Sequence, residues 1–168
     1  MDFKKYIREV KDFPKEGIDF KDITTLLQEP KVFSKVIDKI SKNISDADVI
    51  IGLDARGFLF AGALAYKLGK PLVIVRKKGK LPYETISVDY ELEYGKNTFD
   101  LNIDAVEKGQ KVAIIDDLLA TGGTALAACQ LVEKLGGEIH SLNFLIDLTF
   151  IDRKDILKGY KINSLCEY

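Results

Sequence analysis

Residues 112–124 read Val112-Ala113-Ile114-Ile115-Asp116-Asp117-Leu118-Leu119-Ala120-Thr121-Gly122-Gly123-Thr124. The apolar run at the start predicts a buried strand; two acids, a loop of small residues and a helix opening at Thr124 follow. In an open α/β sheet, ligands bind outside the carboxyl ends of the strands, which is where this loop falls. Adjacent Gly122 and Gly123 allow consecutive backbone N–H groups to turn toward one centre. The hydroxyls of Thr121 and Thr124 add donors, and the helix dipole favours an anion. Ala120, Thr121, Gly122, Gly123 and Thr124 therefore form a candidate phosphate cradle. It lacks the lysine of a GxxxxGK[ST] loop, so a phosphate monoester suits it better than a nucleoside triphosphate. Asp116 and Asp117 would repel a phosphate unless they face something else. The vicinal hydroxyls of a ribose meet that condition, and carboxylates there also stabilise positive charge developing on the sugar ring. Acids and cradle together read a ribose 5-phosphate.

Working outward, three more apolar runs suit buried strands: Asp48–Leu53, Leu72–Arg76 and Ile139–Ile146, beside Lys111–Asp116 of the quoted stretch. Helices are expected over Gly57–Leu68, stopped by Gly69-Lys70-Pro71, and over Thr124–Leu135, stopped by Gly136-Gly137. Strand, helix, strand repeated in this way predicts an α/β fold, a central mostly parallel sheet flanked by helices. Ahead of it lie an amphipathic helix carrying Phe3, Tyr6, Ile7 and Val10, a proline-glycine loop over Phe13–Phe20 and a helix near Lys31–Asn43, covering one rim. From Lys77 to Asp104 the pattern becomes alternating, with Ile86, Val88, Tyr90 and Leu92, and reads as an antiparallel excursion long enough to serve as a flexible lid.

Composition narrows the class. A chain of 168 residues with 46% hydrophobic and 30% charged residues fits a single folded domain spanning 1–168. Lysine and arginine total 25 against 26 acids, a net charge of −1, so no footprint for nucleic acid or an anionic membrane is expected. Cys129 and Cys166 make neither a disulfide framework nor a metal-ligand spacing, and the first ten residues lack the apolar core of a signal peptide. A reduced, cytoplasmic setting is the expectation. The one histidine, His140, falls in an apolar strand, and Cys129 lies among Ala127, Ala128 and Leu131; both read as packing residues.

Two further segments carry anion chemistry. Asp54-Ala55-Arg56-Gly57 follows a strand and opens a helix, placing Arg56 and free N–H groups at a second sheet-end site. Arg76-Lys77-Lys78-Gly79-Lys80 collects four cations beside a glycine at the entrance to the excursion. Such a cluster is able to neutralise a departing polyanion.

The strand, two acids and Thr-Gly-Gly-Thr cradle resemble the signature of the type I phosphoribosyltransferases. Within that family, Asp-Asp-Leu-Leu-Ala-Thr-Gly-Gly-Thr is similar to the members acting on adenine. The likeness extends through Phe13-Pro14 to Gly17, Phe20-Lys21-Asp22-Ile23, Gly52 to Phe58, Arg76 to Pro82 and Leu92-Glu93-Tyr94-Gly95. It implies a base-binding hood over about 1–30, a lid over about 77–104, and purine salvage by transfer of the phosphoribosyl group from phosphoribosyl pyrophosphate to adenine, giving AMP and pyrophosphate. It further implies that Asp54, Ala55, Arg56, Arg76, Lys77 and Lys80 hold pyrophosphate, with a non-proline cis peptide in the loop before Gly57. Arg56 and Glu93 become the catalytic candidates, Glu93 at the purine N7. Phe20 would stack on the base, with edge hydrogen bonds from the backbone of Asp19 and Lys21. Several relatives carry an apolar residue and an arginine at positions 19 and 21; the departure is immaterial if only main-chain atoms contact adenine, and otherwise it bears on base selectivity. Magnesium held mainly by substrate and water, an oxocarbenium-like transition state and a homodimer complete the expectation.

Other readings compete. Two acids at a strand end also occur in a receiver domain's pocket, although that pocket lacks the immediate cradle. A regulatory protein could keep the pocket as a sensor; it would ordinarily need an added nucleic-acid-binding module or basic face. A related enzyme acting on guanine or xanthine differs by few contacts. Arg56 alone reads as a surface ion-pair partner, 76–80 as a solvated edge, Glu93 as an exposed strand residue and Phe20 as core packing.

Overall fold

The computed structural model describes residues 1–92 and 95–168. A 3-10 turn at Phe3–Tyr6 leads into strands β1 (Arg8–Val10) and β2 (Phe20–Asp22), a small antiparallel pair. Short helix α1 (Thr24–Leu27) and helix α2 (Pro30–Asn43) follow. The main sheet then builds from β3 (Val49–Leu53), α3 (Gly57–Leu68), β4 (Leu72–Lys77), β5 (Thr85–Leu92), β6 (Gly95–Asn102), β7 (Lys111–Leu119), α4 (Gly123–Lys134), β8 (Glu138–Asp147) and β9 (Ile162–Glu167). Its order is β5-β6-β4-β3-β7-β8-β9. From β4 to β9 every neighbouring pair is parallel, and only the β5–β6 hairpin, joined to β4 at Arg76↔Asp100 and Lys77↔Phe99, runs antiparallel.

The predicted α/β architecture is the observed one. Helix α3 occupies its expected span and ends on Gly69 at φ 62, the left-handed position that glycine takes without a Cβ clash. The sheet separates two cores. One lies beneath α4 and buries Ile51, Val75, Ile114, Leu131 and Phe144. The other lies beneath α2 and α3 and buries Val36, Ile50, Phe60, Leu64 and Ile115. The hairpin is no loose appendage along its described length, because Val88, Tyr90, Phe99 and Leu101 belong to the α4-side core.

Two expectations are corrected, and one strand is new. The apolar spacing of Phe3, Tyr6, Ile7 and Val10 is helical, but only one 3-10 turn forms before β1 takes over. Pairing with Phe20–Asp22, clamped by Arg8 Nη2 on Asp22 Oδ2 at 2.6 Å, outweighs that local period. Strand β7 runs on past the acids to Leu119, held by its ladder to β8. Strand β9 was not anticipated at all. Among the described residues no helix is long and apolar enough to cross a membrane.

Candidate active site

Side chains of a strand alternate between faces, so two consecutive acids should point apart. Here the alternation slips. Ile115 and Leu118, three residues apart, both pack on the α2/α3 side, while Ile114 and Leu119 pack on the α4 side. The ladder to β8 keeps one register on either side, with Asp116 opposite Phe144 and Leu118 opposite Ile146, and the Asp117 N–H donates to Asp116 Oδ1 at 2.9 Å. Both acids nevertheless line one cavity of about 240 Å³ at the carboxyl end of the strand.

That cavity gathers Asp54, Ala55 and Arg56 from the end of β3, Asp116 and Asp117 from β7, and Ala120, Thr121, Gly122 and Thr124 from the loop before α4. Gly122 caps α4 at φ 86, with no side chain on the helix's first N–H groups. Those donors are therefore available to a ligand. A Cβ on Gly122 would also come within 3.1 Å of Leu157, so glycine satisfies both conformation and space. Gly123 opens the helix itself. The Asp54–Ala55 peptide is cis, as the resemblance implies, and so is Phe13–Pro14.

Arg56 sits at the centre. Its Nε lies 2.9 Å from Asp117 Oδ2, and its guanidinium lies 5.1 Å from the centroid of the Phe20 ring. Asp117 Oδ2 is buried and receives no well-aligned hydrogen bond among the described residues. This acceptor suits a hydroxyl donor supplied by a ligand. Burial lifts the Asp116 carboxyl well above the usual carboxylate range, and the adjacent Asp117 lifts it further. Burial raises Asp117 as well, against the downward pull of Arg56.

A second cavity of about 530 Å³ adjoins the first, sharing Arg56, Leu118 and Ala120. Asp19, Phe20 and Lys21 form one wall, and Leu148, Phe150 and Ile151 the opposite one. The Lys21 side chain turns away, its Nζ 2.6 Å from Glu9 Oε1 and 4.3 Å from the centroid of the Tyr168 ring, so only its backbone is offered to the cavity. Phe13 meets Phe20 edge to face at 5.3 Å. The opposite wall escaped sequence reading, as its residues follow β8 with no motif to mark them.

The cation cluster stands apart from both cavity walls. Arg76 Nε reaches Asp54 Oδ2 at 3.3 Å, and the Lys77 N–H donates to the same oxygen at 3.4 Å. Asp54 thus links the cluster to the first cavity. The Lys77 and Lys80 side chains are exposed. Asp100 Oδ2 accepts the Gly79 N–H at 2.8 Å and pins this turn to the hairpin. Glu93 lies outside the described residues.

A family model for the phosphoribosyl transferase domain matches residues 22–154. An adenine phosphoribosyltransferase of Clostridium botulinum is 56% identical over 170 aligned residues, covering 100% of this chain and 99% of that one. The crystal structure of adenine phosphoribosyltransferase from Thermoanaerobacter pseudethanolicus superposes with a TM-score of 0.94 at 51% identity, covering 99% of this chain and 98% of that one. The Saccharomyces cerevisiae enzyme, crystallised with an imino-altritol bisphosphate and adenine, gives a TM-score of 0.92 at 38% identity over 97% of this chain and 96% of that one. Acids, cradle and sheet order agree with full-length likeness in sequence and in structure, and the chain belongs to the phosphoribosyltransferase family.

Proposed function

We propose that this chain transfers the 5-phosphoribosyl group of phosphoribosyl pyrophosphate to adenine, releasing AMP and pyrophosphate in purine salvage. The observation carrying this reading is the pair of adjoining cavities that share Arg56, Leu118 and Ala120, one lined by acids and a helix start, the other by an aromatic hood. A nucleotide has the same two-part shape, and the full-length relatives are named for this activity.

In this reading the 5-phosphate sits on the N–H groups of 121–124. Asp116 and Asp117 take the ribose diol and stabilise the oxocarbenium-like transition state as the bond to pyrophosphate stretches. Asp54, Ala55 and Arg56 receive the pyrophosphate, with Arg76, Lys77 and Lys80 neutralising its charge as it leaves. Adenine stacks on Phe20, its edge read by the backbone of Asp19 and Lys21, so that N9 faces the anomeric carbon. Glu93 takes the proton role at N7 and belongs to the lid that excludes water.

The carboxylates around the first cavity suit magnesium as hard oxygen acceptors for its water ligands. Among the described residues, no three His, Cys, Asp or Glu side chains converge to cage an ion directly. Asp116 and Asp117 would hold it through water and ribose oxygens, and when bound it would supply charge neutralisation to the pyrophosphate. The working form is a homodimer in the cytoplasm.

The test is an end-point assay with magnesium, phosphoribosyl pyrophosphate and adenine, hypoxanthine, guanine or xanthine in separate tubes. AMP should form fastest by a wide margin, and chelating magnesium should stop it. Preference for guanine or xanthine, or undiminished rate after chelation, overturns the corresponding part.

A further inference from the structure

Arg153 lies 33 residues from the cradle in sequence, yet its Nε donates to the carbonyl of Ala120 at 2.8 Å. Its Nη2 donates to the Leu148 carbonyl at 3.0 Å, reaches the Leu119 carbonyl at 3.5 Å and pairs with Asp147. Leu148 lines the base-side cavity and Ala120 lines both. One planar guanidinium therefore bridges the start of the cradle and the wall of the neighbouring cavity. Lysine cannot reproduce this, because it presents a point charge in place of a rigid fork.

Across a trans peptide, the carbonyl of one residue and the N–H of the next point in opposite directions. The bond between Ala120 and Thr121 is not among the cis peptides. With the Ala120 carbonyl tied back to Arg153, the Thr121 N–H is turned the other way, and Thr121 itself lines the first cavity. The same segment supports the loop again further on, where Ile156 and Leu157 pack beneath Gly122. Its backbone is bent sharply to do so, with Lys154 at φ 47 and Asp155 at φ 57, conformations that side chains other than glycine seldom adopt.

We infer that Arg153 is a positioning residue that aims the first cradle N–H at the 5-phosphate and holds the cradle in register with the base-side wall. This rests on the proposed placement of the 5-phosphate. It makes no contact with substrate and acts through the Ala120–Thr121 peptide.

The experiment measures KM for phosphoribosyl pyrophosphate and for adenine separately in Arg153→Ala and Arg153→Lys. In the alanine variant, KM for the phosphorylated donor should rise about tenfold, the effect of losing one well-placed charge-assisted bond. KM for adenine should stay within about twofold, the lysine variant should fall between, and free guanidinium should restore the alanine variant. Should the alanine variant fail to fold, the same split in the lysine variant carries the test. Equal rises in both KM values, an unchanged donor KM in the folded variants, or no guanidinium rescue overturns the inference. If the wild-type enzyme makes no AMP, the proposed function fails instead, and the two failures are distinguished.

Discussion

Asp117 carries the most consequential electrostatics in the molecule. The residue is 3% exposed, one of its carboxylate oxygens has no aligned donor, and Arg56 compensates it only from one side. Burial raises its pKa, so over the window from the ordinary carboxylate range up to the folded value the native chain binds more protons than the unfolded one. Stability therefore falls as pH climbs through that window. Asp117→Asn removes the charge and keeps the shape. Its melting temperature at neutral pH should equal or exceed wild type, with Arg56, 39% exposed, remaining solvated. Turnover should nevertheless fall by roughly 10- to 100-fold, the equivalent of about 1.5–3 kcal/mol for a bond to a charged group. Calorimetry and steady-state kinetics on one preparation check both halves. Normal turnover would remove Asp117 from the reaction.

At the scale of elements, the decisive contact is α3 against β7. The first residue of α3, Gly57, sits so close that an added Cβ would lie 2.7 Å from the Ile115 carbonyl and 3.0 Å from Asp116 Oδ1. The nearest atom is backbone, which does not yield as the far end of a flexible side chain would. Gly57→Ala should push the helix start, and Arg56 with it, away from the acids. A loss of about 1–3 kcal/mol in urea unfolding, with activity lost alongside, is the expected outcome. Stability within about 0.5 kcal/mol of wild type with full activity would contradict it. Local signals of this kind made much of the fold legible in sequence: α3 ends on Gly69 because its chemistry demands a left-handed residue there, and β3 and β4 announce themselves by unbroken apolar runs. The acids and cradle were readable because they are consecutive. What sequence concealed was made by distant partners. Strand β9 (INSLCE) is half polar and gains its place beside β8, where Asn163 Nδ2 donates to Asn143 Oδ1 at 2.9 Å. Strand β1 exists through its pairing with β2, and Arg153 reaches the cradle only after β8 has returned the chain to it. The irregularity in the β7–β8 ladder between Val112 and Ala113 likewise belongs to the pairing of two distant segments, which no local pattern encodes.

For the whole molecule, the sheet directs β3, β7 and β8 to one edge, and every wall of the two cavities comes from those strand ends or from the hood above them. The opposite consequence falls on the outer face of α3. While Phe60, Ala61, Leu64 and Ala65 fill the core, Leu59 is 49% and Tyr66 92% exposed. Seven residues apart, these two share one helix face, with nothing within 4 Å of the Cβ position of Gly62 between them. Single exposed apolar residues are ordinary, but a tyrosine and a leucine flanking an open glycine on one helix face make a small patch of the kind a two-fold interface buries. The proposed homodimer would cover it, and since α3 begins immediately after Arg56, a partner pressed on this face would also steady the guanidinium between the cavities. Chains of 18.8 kDa should accordingly sediment at twice that mass at micromolar concentration. Leu59→Arg with Tyr66→Glu should shift the population to monomer and reduce turnover, while leaving the far-ultraviolet circular dichroism unchanged because neither side chain is in the core. A wild-type chain that sediments at the single mass, or a double variant that stays dimeric, would move the interface elsewhere and detach Arg56 from any influence of a partner.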